Sequence, residues 1–88
     1  MLNKKMLKNC IVAAKHLNMK FIAVKISFDG CEKSEIIIND YSNFDYKLAY
    51  YESAYDDNLC LNHNNEIKIT GFTYGNSFEE IQKDLLGE

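Results

Sequence analysis

The chain has 88 residues, 47% of them apolar, and a formal charge of −3. That size makes one domain, expected over 1–88, with a modest core, and the apolar content excludes a disordered chain. No apolar run approaches the ~20 residues of a membrane span, and Lys15 and His16 break the run that would follow a signal-peptide start, so a cytoplasmic protein with no membrane partner is expected.

Residues 2–17 read as a helix. At 100° per residue Leu2, Met6, Cys10, Ala13, Ala14 and Leu17 share one arc, with Leu7 at its edge, and Asn18 is a natural stop. Lys4, Lys8 and Lys15 form a stripe opposite that arc. The stripe belongs to a wider asymmetry. Residues 1–28 carry six lysines and no acid, while residues 29–88 carry four lysines and all thirteen acids. Two electrostatically different faces, and a partner for one of them, are one reading. The other is intramolecular, the basic helix docking beside the acidic remainder.

Residues 20–28 alternate as a strand, with Ile22, Val24, Ile26 and Phe28 on one side, and Asp29-Gly30 signals a turn. Residues 35–39 return. The triple Ile36-Ile37-Ile38 suggests a strand covered on both faces or central in the sheet. Residues 43–56 fit two periods, and the helical one is preferred. Phe44, Leu48, Tyr51 and Tyr55 then line one stripe, and Ser42-x-x-Asp45 resembles a capping box.

Residues 58–61 and 66–74 read as a hairpin, with Leu59 and Leu61 facing one way, Asn62–Asn65 as the turn, and Gly71 as a bulge that hands the buried phase from Ile67 and Ile69 to Phe72 and Tyr74. Residues 78–86 are a last helix behind the capping box Ser77-x-x-Glu80, its inward stripe Phe78, Ile81 and Leu85. The fold class is therefore α+β, an antiparallel sheet of about four strands with helices packed on it, in the order α-β-β-α-β-β-α.

Chemistry is sparse. Cys10, Cys31 and Cys60 are odd in number and widely spaced, as free thiols in a reducing compartment are. Cys60-x-x-His63 has ligand-like spacing, but a structural zinc needs four closed ligands, and one pair is too few even with Cys31 or His16 added. A small thiol-dependent enzyme would need Cys31 activated, yet Glu32 and Glu35 oppose the thiolate, with Lys33 against them, and no orienting third group stands near His63. The segment Gly71–Gly75 matches no phosphate-binding loop. No catalytic, cofactor or metal residue is assigned.

Candidate partner-binding residues are three groups. Tyr46 and Tyr50 lie i, i+4 away from the core stripe beside Lys47, and tyrosine is enriched at binding hot spots. Asp56 and Asp57 follow a helix end that disfavours acids. Lys4, Lys8 and Lys15 invite a nucleic-acid reading, which the absence of arginine and the negative total weaken.

The stretches Glu35–Asn39, Lys47–Leu59 and Ile67–Ile81 resemble small uncharacterised proteins of low-GC Gram-positive bacteria and their prophages. The resemblance spans about the last two-thirds of the chain and implies no activity or functional residue. Size, acidity and α/β mixture are also similar to phage-encoded inhibitors of host defence, by analogy alone. The expectation is a non-enzymatic protein-binding module, an accessory or inhibitor protein, with a nucleic-acid binder using the first helix as the alternative, a thiol enzyme third, and a homodimer open to either.

Overall fold

The computed structural model describes residues 2–32 and 34–86. Helix α1 (Lys4–His16) leads into the antiparallel strands β1 (Phe21–Phe28) and β2 (Ser34–Asp40). A 3₁₀ turn (Tyr41–Asn43) and α2 (Phe44–Ala54) cross to the strands β3 (Cys60–Leu61) and β4 (Asn64–Gly75), and α3 (Phe78–Leu86) follows. The sheet order is β2-β1-β4-β3, antiparallel throughout, so the expected α+β order holds, and the segment that fits two periods, 43–56, is helical over Phe44–Ala54.

Strand alternation gives the sheet two different faces. Ile22, Val24 and Ile26 of β1 and Ile69 of β4 point to one face, where Leu7, Ile11 and Ala14 of α1 and Phe44 and Tyr51 of α2 close over them. Tyr55 and Leu59 complete this core. The register shifts between Lys25 and Ile26, because Gly71 pairs with Lys25 and Ile69 with Ile26, leaving Thr70 over. That bulge keeps Ile67 and Ile69 in phase with Phe72 and Tyr74, all packed on the same core, as the sequence pattern anticipated.

The opposite face carries Phe21 and Ala23 of β1 and Gly71, Thr73 and Gly75 of β4, and α3 lies across it. Ile81 is fully buried there, and Phe78 stacks against Phe21 with ring centroids 5.0 Å apart. A Cβ on Gly71 would sit 3.3 Å from Leu85 Cδ2, and one on Gly75 would sit 3.3 Å from both Glu80 Cβ and Ile81 Cγ1. The two glycines therefore set how closely α3 approaches. Ser77 Oγ accepts from the Glu80 N–H at 3.2 Å, one arm of the expected capping box, while Glu80 Oε2 accepts from the Asn76 N–H at 2.9 Å, one residue earlier than the motif predicts.

Four local expectations are corrected. The buried ridge of α1 is Leu7, Ile11 and Ala14, while Met6 and Leu17 are exposed. The wheel is rotated because α1 packs against both α2 and the sheet, so its apolar side follows the cleft between them. Helix α1 ends as read, with Asn18 at φ +55° and the Met19 N–H on the Ala14 carbonyl at 2.9 Å.

The triple-isoleucine strand is an edge strand, not a central one. It has β1 on one side, and its three isoleucines are half-buried, Ile37 against the main core and Ile36 and Ile38 on the α3 face. The Ser42-x-x-Asp45 box does not form. Ser42 Oγ instead donates to Asp40 Oδ1 at 2.6 Å, tightening the 3₁₀ turn, and Asn43 stands at the helix N-cap.

The hairpin is tighter than expected, with Leu61 opposite Asn64 and only Asn62-His63 between them. Leu59 does not extend into that strand. It sits at φ +65° with its side chain fully buried. A left-handed leucine costs about 1–2 kcal/mol, and burying it is worth a similar amount or more, so the core holds the strained loop in place.

Candidate partner surface on the helical layer

Helices α1 and α2 run antiparallel, and the three stripe lysines mark their contact. Lys4 Nζ donates to the Glu52 and Tyr55 carbonyl oxygens, each at 2.9 Å. These are carbonyls of the last turn of α2 and its C-cap, where a cation is favoured. Lys8 Nζ lies 3.3 Å from Glu52 Oε1. Lys15 Nζ donates to Asp45 Oδ1 at 2.6 Å, joining the last turn of α1 to the first turn of α2, and that bond holds the Lys15 ammonium pKa above its usual value. Each lysine of the stripe thus faces α2. The stripe borders the buried ridge and does not lie opposite it.

Asp56 and Asp57 have structural partners as well. Asp56 Oδ1 accepts from the Asn58 and Cys60 N–H groups at 2.9 and 3.0 Å, which fixes the loop before β3. The Asp57 carbonyl accepts from the Lys4 N–H at 3.1 Å, which places this acid beside the N-terminus of α1. Helix α1 has no acid in its own first turn, and it is the main chain of Asp57 that makes this contact. Lys4, Lys5, Lys8, Asn9, Glu52 and Asp57 surround an open depression of about 410 Å³. Its lining mixes both signs of charge.

The tyrosines form the remaining group. Tyr46 is 71% exposed. Tyr50 is 40% exposed and meets Tyr51 and Tyr55 edge-on at 5.5 and 6.3 Å between centroids. Lys47 Nζ sits 5.2 Å from the Tyr50 ring centre and 5.8 Å from that of Tyr51. Burial pushes the phenol pKa values of Tyr51 and Tyr55 up, reinforced by the neighbouring phenols. One ring of the pair is thus braced by its neighbours and the other stands in solvent. The i, i+4 spacing was legible in the sequence; the bracing by Tyr55, from beyond the helix, was not.

The thiols stay apart in role. Cys31 is exposed, Cys60 is half-buried in β3, and burial raises the Cys10 thiol pKa to about 11. His16 and His63 are exposed, and Lys33 lies outside the described residues. Among the described residues no three His, Cys, Asp or Glu side chains gather as metal ligands would, and no helix is long and apolar enough to cross a membrane. Comparison with protein-family models, curated proteins and solved structures finds no match.

Proposed function

We propose that this is a non-enzymatic protein-binding module, an accessory or inhibitor protein of the kind mobile elements carry, whose contact surface is the outer side of α2. The observation that carries the reading is Tyr46, largely in solvent one turn from the braced Tyr50. An aromatic pair with few free torsions loses little entropy on binding, and tyrosine supplies both apolar area and a hydroxyl. A protein partner suits the mixed charge around the neighbouring depression better than a polyanion does, because phosphate binding needs unpaired cations.

Affinity capture from host extract tests the reading, comparing the native protein with the Tyr46→Ala/Tyr50→Ala variant. A specific protein retained by the first and lost by the second supports it. Identical retention by both overturns the surface. Steeply salt-dependent DNA or RNA binding that Lys4→Gln/Lys8→Gln/Lys15→Gln abolishes overturns the partner class in favour of nucleic acid.

A further inference from the structure

The two edges of the sheet are unequally protected. On one side β3 is two residues long, irregular in register, and continued by the Tyr55–Leu61 bridge. On the other, β2 runs seven residues in continuous register with β1, from Ser34 to Asp40, without a bulge. It contains no proline or lysine, its two charges Glu35 and Asp40 lie toward its ends, and Ile36-Ile37-Ile38 occupies its middle. Proteins ordinarily blunt such an edge with a lysine, a proline, a bulge or a charge at its centre, because its unpaired backbone groups template another strand.

A second observation concerns Asn39. Among the described residues its Nδ2 is a buried side-chain nitrogen with no hydrogen-bond partner. A buried donor left unpaired has lost its hydration with nothing in return, so such a group calls for a partner.

We propose that two copies of the chain associate through β2, antiparallel about a dyad at Ile37, to form one continuous sheet. Opposed residues in an antiparallel pair share a face, so a dyad normal to the sheet pairs only positions of like parity. Centring on Ile37 uses the whole strand. Ile37 meets its own copy on the core face, where Ile37 already packs against the core. Ile36 meets the second copy's Ile38 on the α3 face, and Ser34 meets Asp40.

Glu35 falls opposite the second copy's Asn39, twice across the dyad, on the core face that both residues share by their pairing with Ile26 and Ile22. The Asn39 Nδ2 is enclosed in the single chain, so the pairing includes a turn of that amide outward to the carboxylate, the acceptor it lacks. No like charges oppose in this register. Shifting the centre to Ile36 or Ile38 shortens the pairing and removes the Glu35–Asn39 match. The three isoleucines, half-exposed in one chain, gain cross-strand partners on both faces.

Sedimentation over roughly 10 μM to 1 mM measures the association. The native chain is expected to dimerise in that range; a monomer throughout overturns the proposal. Asn39→Asp sets two pairs of like charge across the dyad and should weaken dimerisation at least about tenfold. Glu35→Lys/Asn39→Asp should restore it, since each new lysine then faces an aspartate of the second copy. A dimer indifferent to Asn39→Asp, or one the double variant does not restore, places the interface elsewhere.

Hydrogen exchange on the native chain gives an answer free of any folding defect in the variants. Amides within 34–40 should gain protection as concentration rises. If the mass rises and they do not, β2 is not the interface.

Discussion

The two faces of the sheet are closed by different means. The core face is filled with large side chains, Leu7, Ile11, Phe44, Leu59 and Ile69 among those fully buried, under two helices tied by lysine contacts. The α3 face is closed by subtraction. Gly71, Gly75 and Ala23 remove side chains so that a nine-residue helix can lie close, with Ile81 as its one buried residue. One face derives its stability from apolar area, the other from fit, and fit tolerates added atoms less well than it tolerates lost ones.

Substitution breaks this comparison first on the core face. Ile69→Ala should lower the unfolding free energy by about 3 kcal/mol, because it leaves a cavity under both helices, and urea denaturation measures it. Next comes Gly75→Ala, expected to cost about 1–3 kcal/mol by overpacking, since the new Cβ meets Glu80 Cβ and Ile81 at 3.3 Å. Gly71→Ala should cost less, because its nearest neighbour is the movable end of Leu85. Equal costs at the two glycines would show that α3 is held loosely. Ser77→Ala should cost about 1 kcal/mol through the lost cap, visible as faster exchange of α3 amides while α1 and α2 keep theirs.

The last prediction concerns pH, and at neutrality its effect is nil. The folded state raises the Cys10 pKa to about 11 and shifts Tyr51 and Tyr55 upward too, all of them residues of the helical layer on the core side. Groups raised on folding contribute stability that is complete below their unfolded pKa. Above it the unfolded chain binds fewer protons than the native one, so stability declines as pH climbs from about 9 through 11. Thermal melts across that range check the sign, and a melting temperature that rises would contradict the burial of these groups. Cys10→Ala should flatten the decline.

How legible was this in the amino-acid sequence? The helix over Phe44–Ala54 followed from the spacing of Phe44, Leu48, Tyr51 and Tyr55, three of which are buried. The bulge at Gly71 followed from the switch of phase between Ile69 and Phe72. The stop at Asn18 followed from local chemistry alone. Positions that two elements decide together were read less well. Helix periodicity put the lysines opposite the core, but the helix has two neighbours and its buried side points between them. Three consecutive isoleucines suggested a strand covered on both faces or central in the sheet, and the edge position overturns the second, because composition reports apolar demand and says nothing of which neighbour meets it.

The candidate surface divides along the same line. Tyr46 and Tyr50 were visible as an i, i+4 pair off the core stripe. Asp56 caps its own loop within four residues, but that Lys4, Lys8 and Lys15 have intramolecular partners required contacts between residues some thirty to fifty positions apart.

By itself the sequence determined what near neighbours decide: element types, the α+β order, the turns and the sorting of charge between an acid-free first segment and an acidic remainder. These follow from backbone preference and from periods of two and 3.6 residues, both local properties. Only the tertiary structure decided that this charge meets itself, Lys8 and Lys15 of α1 on Glu52 and Asp45 of α2, and that β2 is an edge strand. Charge partners and strand neighbours are pairings across the chain, and local pattern cannot choose among them.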